Sequence, residues 1–120
     1  MEFSFELRPK GIYIEAGYQR FMVGYSEQGS LQYEPAVRRC RDQAGTLPTL
    51  EQALVLCEHR AEINDELKAA GQQLIGDYPF WTRRRHAVLS GSVYDVSMRN
   101  GNIDRSSKEY YNAARAITTA

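Results

Sequence analysis

The chain has 120 residues, enough for one domain with a modest core, and 42% of them are hydrophobic, an ordinary fraction for a globular protein. Lys and Arg together number 15 and so do Asp and Glu, so no net charge draws nucleic acid, an anionic membrane or an acidic substrate to the whole surface. No apolar run approaches transmembrane length, and Met1-Glu2-Phe3-Ser4-Phe5-Glu6 lacks the basic start and apolar middle of a signal peptide. The two cysteines, Cys40 and Cys57, are too few for a disulfide scaffold. Both fall on the apolar side of expected helices, which favours buried free thiols; a bridge stays open if those helices cross there.

The first third reads as strands. Phe3, Phe5 and Leu7 alternate with polar residues, and Pro9-Lys10-Gly11 breaks the run. Ile12, Ile14 and Ala16 alternate again up to Gly17. Phe21, Val23 and Tyr25 form a third strand, which Ser26-Glu27-Gln28-Gly29 is expected to close.

A helix is predicted next, with Pro35 in its first turn, where a missing N–H costs nothing. Ala36, Val37, Cys40 and Ala44 recur at helical spacing while Arg38, Arg39, Arg41 and Asp42 face outward. Gly45 reads as the left-handed C-terminal residue. Thr49 caps a second helix, and Gln52 three residues on completes a capping box. Its apolar stripe is Leu50, Ala53, Leu54, Cys57 and Ala61, continued by Ile63, Leu67 and Ala70 after a bend near Asn64, and Gly71 stops it.

The last third returns to strands. Phe80-Trp81-Thr82 begins one after Pro79, Ala87-Val88-Leu89 is a short apolar run, and Tyr94, Val96 and Met98 share one strand face with Asp95, Ser97 and Arg99 on the other. Asn100-Gly101 suits a two-residue type I′ hairpin turn, in which both residues need positive φ. Asn102–Ser106 returns, and Tyr110–Ile117 is the final strand. The pattern predicts one α+β domain over residues 1–120, with two helices packed on antiparallel strands.

Two stretches together resemble a known family. The first, Gly45-Thr46-Leu47-Pro48-Thr49-Leu50-Glu51-Gln52-Ala53, opens a helix. The second runs from Phe80-Trp81-Thr82 through Tyr94-Asp95-Val96-Ser97-Met98-Arg99-Asn100-Gly101 to Ala114-Arg115-Ala116-Ile117. In that order and spacing they resemble the C-type lectin-like module of bacterial adhesins, fimbrial tips and retroelement-diversified binding proteins, over Glu34 to Ile117. The resemblance implies a ligand-binding fold with paired terminal strands and a cell-surface, secreted or virion-associated setting. It also implies that Trp81 packs against the helices. Where the bacterial families follow the Trp with serines, this chain has Arg83-Arg84-Arg85-His86. The calcium motifs of animal C-type lectins have no counterpart, since Glu34-Pro35-Ala36 opens a helix and Trp81 is followed by Thr. The expectation is therefore no calcium, no other metal and no cofactor.

The remaining constellations are weak as chemistry. Cys57 and His59, two apart on a helix, point to different faces and cannot chelate together. Glu58, Glu62, Asp65 and Glu66 read as a solvated helix face. A cysteine nucleophile would need a histidine base beside it, and both thiols sit on core-facing stripes. Arg83, Arg84 and Arg85 read either as a solvated connection between strands or as an anion contact. The segment from Arg83 to Asn112 is rich in Tyr, Asn, Ser and Arg, a paratope-like mixture, and in the retroelement-diversified relatives this region displays the ligand contacts. The candidate binding residues are Arg83, Arg84, Arg85, His86, Tyr94, Arg99, Asn100, Asn102, Asp104, Arg105 and Tyr110. The expected function is non-catalytic binding of a protein or glycan, anionic if the arginines take part, without nucleic acid and without membrane insertion. The rivals are an assembly subunit of a fimbria, phage particle or surface protein, and an enzyme using His86 and the arginines on an anionic substrate.

Overall fold

Two short polar turns fold the start of the chain into a meander of β1 (Phe3–Arg8), β2 (Gly11–Ala16) and β3 (Gln19–Leu31) in a computed structural model that describes residues 2–86, 88 and 91–118. The predicted alternation is observed: Phe3, Phe5, Leu7, Ile12, Ile14 and Ala16 pack in the core while Ser4, Glu6 and Arg8 are exposed. β3 does not stop at Ser26-Glu27-Gln28-Gly29. It runs for 13 residues and carries two irregularities, between Val23 and Glu27 and between Gln28 and Leu31. Bulges of this kind absorb residues that a regular ladder would misplace.

Three helices follow, not two. α1 (Tyr33–Asp42) buries Tyr33, Ala36 and Cys40. Its end corrects the expectation for Gly45. The left-handed residue is Ala44, at φ 58°, whose N–H donates to the Arg41 carbonyl, while the Gly45 N–H donates to that of Cys40. That is a Schellman ending with alanine where glycine is usual. Gly45 serves another need, because a Cβ there would stand 2.7 Å from the Ile117 carbonyl oxygen. Ala44 is thus exposed and outside the helix.

α2 (Leu50–Glu58) starts as predicted. Thr49 Oγ1 accepts the Gln52 N–H at 3.1 Å and Gln52 Oε1 accepts the Thr49 N–H at 2.9 Å, a cap worth about 1 kcal/mol. The break to α3 (Arg60–Ala69) falls at His59 rather than at Asn64. Phe3 stacks on the His59 ring at 3.5 Å, and Asn64 has a different task, described below. The turn shifts the stripe: Ala53, Val55, Leu56, Ile63 and Leu67 are buried, whereas Ala61 and Ala70 are exposed.

β4 (Pro79–Arg85), β5 (Ser92–Ser97), β6 (Ile103–Ser107) and β7 (Asn112–Thr118) complete a seven-stranded sheet in the order β1-β2-β3-β7-β4-β5-β6. It is mixed, because β7 pairs antiparallel with β3 but parallel with β4 through Phe80 and Ala113. β1 lies at an edge with β2 as its neighbour, so the expected pairing of the two terminal strands is replaced by pairing of β7 with β3. The tight meander commits both edges of β2 and leaves the long β3 to receive β7. Of the expected run Ala87-Val88-Leu89, Ala87 and Leu89 lie outside the described residues. Tyr110 and Tyr111 are exposed and precede the last strand.

β7 is buried on both faces. Ala113 and Ile117 join α2, α3 and the meander in one core, and Ala114 and Ala116 join α1, Leu47, Trp81 and Val93 in the other. Trp81 is fully buried as expected, its Nε1–H donating to the Leu31 carbonyl at 2.7 Å with the Tyr33 ring edge-on at 5.5 Å. Cys40 and Cys57 belong to opposite cores and are free thiols, so the bridge left open by the sequence is not formed.

A buried ion pair ties these parts together. Arg115 on β7 and Glu27 on β3 are cross-strand partners, with side chains 0% and 1% exposed and Nε 2.7 Å from Oε1. The two terminal guanidinium nitrogens, Nη1 and Nη2, donate to the carbonyls of Gly24 at 3.0 Å and Gln73 at 2.6 Å. The Glu27 carboxylate also accepts from the Gly76 N–H and the Tyr78 hydroxyl. Burial first, then the Glu27 hydrogen bond, pushes the Tyr78 phenol up to about 12, so it stays a donor. β3 has outrun β2 at this point, and the Gln73 carboxamide takes both backbone groups of Glu27, at 3.0 and 3.3 Å. Asn64 does the same for Ile75, at 2.9 and 2.8 Å. The connection from Gly71 to Tyr78 is thereby pinned without helix or strand of its own.

Two stability measurements test this account. Arg115→Met leaves Glu27 buried without its counter-charge and is expected to cost about 3–5 kcal/mol in urea unfolding; a loss below about 1 kcal/mol would show that the pair is dispensable. Ala44→Gly relieves a left-handed alanine and is expected to gain about 0.5–1 kcal/mol, net of the freedom glycine adds to the unfolded chain. A loss on that substitution would contradict the assigned helix ending.

Candidate functional site

Arg83, Arg84 and Arg85 are the last three residues of β4, not a loop, and all three are exposed. Backbone contacts hold them at both ends: the Arg83 N–H donates to the carbonyl of Pro48, outside the sheet, at 2.8 Å, and Arg85 is the ladder partner of Val93. The register slips between Trp81 and Arg85. There Thr82, fully buried, donates its hydroxyl to the Tyr94 carbonyl at 2.7 Å and accepts the Arg84 N–H at 3.3 Å. None of the ion pairs among the described residues involves these arginines.

His86 continues from the strand. Its ring lies 5.4 Å from that of Tyr94, and the Arg105 Nη1 lies 3.3 Å from its Nε2. Tyr94 and Arg105 are direct cross-strand partners on β5 and β6. His86, Tyr94 and Arg105 are therefore one cluster, at the end of β4 just after Arg85 in the chain. Tyr110 sits at the same end, because its N–H donates to Ser107, whose partner is Ser92 at the start of β5.

The other candidates lie elsewhere. Arg99, Asn100 and Asn102 occupy the opposite end of the hairpin, about 17 Å along the strands at a rise of about 3.3 Å per residue. Arg99 pairs with Asp77 at 3.5 Å, both exposed, a contact of small energy. Asn100 Oδ1 accepts the Asn102 N–H at 2.9 Å, a turn-forming bond. The turn is not the expected two-residue type. Gly101, at φ 77°, donates to the Ser97 carbonyl at 2.8 Å, and Ser97 donates to the Asn102 carbonyl at 3.0 Å, closing a four-residue loop. Buried Met98 donates its N–H to the Tyr78 carbonyl, one step beyond the Pro79–Ser97 pair of β4 and β5, while on the β6 side the loop begins after Ser97. Asp104 is exposed and accepts the neighbouring Arg105 N–H at 2.8 Å.

Asp95 is the largest departure. Placed by alternation on the face opposite to Tyr94 and Val96, it is 4% exposed, because the face it shares with Val93 is also covered. Its Oδ2 accepts from the Ser106 hydroxyl and from Asn112 Nδ2. Burial raises its pKa first and nearby Asp104 adds to the rise, against the lowering by Ser106 and Asn112.

The cysteine chemistry considered from sequence finds little support in the geometry. Burial pushes the Cys40 thiol up to about 11 and also raises that of Cys57, whose Sγ donates to the Ser97 carbonyl at 3.4 Å. Both thiols stay protonated at neutral pH. Among the described residues no group of three or more His, Cys, Asp and Glu side chains gathers to hold a metal, and no helix is long and apolar enough to cross a membrane.

Arg20, Arg41 and Lys108 were not singled out from sequence, and each has a place near the candidate residues. Lys108 pairs with Glu34 at 3.8 Å and lies over the Tyr33 ring at 5.6 Å. Only the fold brings such residues to the strands that carry the candidates.

Compared with known proteins, the chain matches no family model and shows no significant similarity to a curated protein.

Asp95 yields a test of the electrostatics. Its folded pKa is raised, so its contribution to stability is fully present in acid below the unfolded value, about 3.9, and is lost as pH rises through the folded value. Asp95→Asn keeps an acceptor for Ser106 and Asn112 and carries no charge. The variant is expected to unfold at a higher temperature than the parent at pH 7, with the difference shrinking below about pH 4. A pH-independent difference would show that ionisation of Asp95 is not the cause.

Proposed function

We propose that this protein is a non-catalytic, calcium-independent ligand-binding module of the C-type lectin-like kind, and that its binding face lies at the β4–β5 end of the sheet. The observation that carries the reading is the cluster of His86, Tyr94 and Arg105, an aromatic pair with a guanidinium against it, which directly follows the exposed Arg84 and Arg85 at the end of β4. Strand placement fixes the spacing of the groups before a ligand arrives, which lowers the entropy cost of binding. Guanidiniums select carboxylate, sulfate or phosphate groups by paired donors, and tyrosine adds contact area with few rotatable bonds. The α+β architecture, the buried Trp81 and the capped α2 also fit the module. Its paired terminal strands are not reproduced. Arg99, Asn100 and Asn102 leave the binding set, since they sit at the far end of the hairpin or serve its turn, and Asp104 leaves it because alternation along β6 puts it on the face opposite to Arg105.

The ligand class is an acidic glycan or an acidic protein surface. A sulfated polysaccharide is a suitable first probe. Its affinity is expected to fall steeply between about 0.01 and about 0.15 M salt, as the screening length shortens from about 30 to about 8 Å. Arg84→Ser with Arg85→Ser is expected to abolish binding and to change stability by less than about 0.5 kcal/mol. Binding that survives both substitutions, or that ignores salt, would overturn the assignment of this face.

A further inference from the structure

Three arginines from three elements converge on the segment Gly45-Thr46. Arg20 comes from β3, Arg41 from the last turn of α1 and Arg83 from β4. Thr46 is held against β7 by two backbone bonds to Ile117, at 2.9 and 2.8 Å, and the missing side chain of Gly45 permits that approach. The segment separates two clefts. One, of about 340 Å³, is lined by Arg20, Arg83, Thr46 and Gln52 among others; the second, of about 180 Å³, is lined by Arg41, Arg83, Tyr33, Val37 and Leu47. Arg83 borders both.

The lining has one sign. No Asp or Glu borders either cleft, and none of the ion pairs among the described residues uses Arg20, Arg41 or Arg83. Gln52 presents its amide nitrogen, because its Oε1 is committed to the Thr49 N–H. The α1 carbonyls of Cys40 and Arg41 are taken by the N–H groups of Gly45 and Ala44. The smaller cleft adds an apolar wall of Tyr33, Val37 and Leu47. Its volume compares with the roughly 150 Å³ that accepts a benzene ring in a protein interior.

We propose that these adjacent clefts, which share Gly45, Thr46 and Arg83 in their linings, form a second site, for a small organic anion: a carboxylate or phosphate held by Arg83 with Arg41 or Arg20, carrying a ring or short aliphatic body that enters the slot beside Leu47. A guanidinium shared between two clefts can engage the head group while the apolar wall takes the body, so neither a bare anion nor a neutral ring satisfies the whole site. The inference does not rest on the face proposed above, with which it shares the strand β4 and none of that face's five residues.

Titration of the intact protein with phenyl phosphate and with phenylacetate, followed by amide chemical shifts, tests it. Inorganic phosphate and benzyl alcohol serve as head-only and ring-only controls. At least one of the two organic anions is expected to bind saturably, shifting the amides of Gly45, Thr46 and Leu47. It should bind at least tenfold more tightly than either control. Arg83→Gln is expected to weaken it tenfold or more and Arg41→Gln several-fold, while Arg84→Ser with Arg85→Ser leaves it unchanged. Arg83 and Arg41 are exposed, so unchanged far-ultraviolet circular dichroism checks that the variants fold. The proposal fails if neither organic anion saturates. It fails equally if inorganic phosphate binds as tightly, or if Arg83→Gln has no effect. Loss of binding in the Arg84/Arg85 variant alone would place the anion on the other face and also overturn it.

Discussion

The contact between Glu27 and Arg115 is the constraint on which the rest of the fold depends. Two charges lie in a place with no access to water, and such a pair persists only when the remaining donors and acceptors are also satisfied. Here they are, by the Gly24 carbonyl in the bulge of β3, the Gln73 carbonyl, the Gly76 N–H and the Tyr78 hydroxyl. The pair therefore sets the register of β7 on β3 and also holds the irregular segment that leads from α3 into β4. Because β4 carries Trp81 and ends in the arginines, the position of the candidate site descends from this one buried interaction. A hydrophobic replacement would fill the space, but would leave the bulge and the connection without partners.

Local signals were readable wherever the chemistry was local. The Thr49–Gln52 reciprocity, the alternation in β1 and β2, the burial of Trp81 and the stop at Gly71 all follow from residues within a few positions of one another. The failures have one cause, distant contacts that outbid local preference. Ser26-Glu27-Gln28-Gly29 has the composition of a turn, yet β7 offers a ladder and Arg115 a counter-charge 88 positions away. Gly45 reads as a left-handed cap, yet it is needed for its lack of a side chain against β7, and Ala44 takes the left-handed conformation instead. Met98 was expected to prolong its strand, yet the loop closed by Ser97, Gly101 and Asn102 takes it out of the hairpin, and its N–H goes to Tyr78, far away in sequence.

The candidate site was readable as a composition and not as a place. Eleven residues of suitable type occur between Arg83 and Tyr110, but a hairpin sends them to opposite ends of its strands. Asp95 shows why alternation misleads here: the face it shares with Val93 is covered by the second core, so a polar residue on it marks a buried hydrogen-bond centre rather than an outer surface. Arg20 and Arg41 carry no local mark at all. Their relation to Arg83 exists only once β3, α1 and β4 are brought around Gly45.

The strand order has a consequence for how the protein is made. β7 is translated after the other six strands but occupies the middle of the sheet, between β3 and β4. Until it emerges, the meander and the β4–β5–β6 unit each present an unpaired edge, and Arg115 is not there to neutralise Glu27. The two halves cannot dock in their native relation before that point, and their exposed edges are templates for pairing with other chains. Closure depends on contacts far apart in sequence, which slows folding. Before β7 emerges the nascent chain is thus open and in two parts, and the lifetime of that state sets how long the chain depends on shielding from its neighbours.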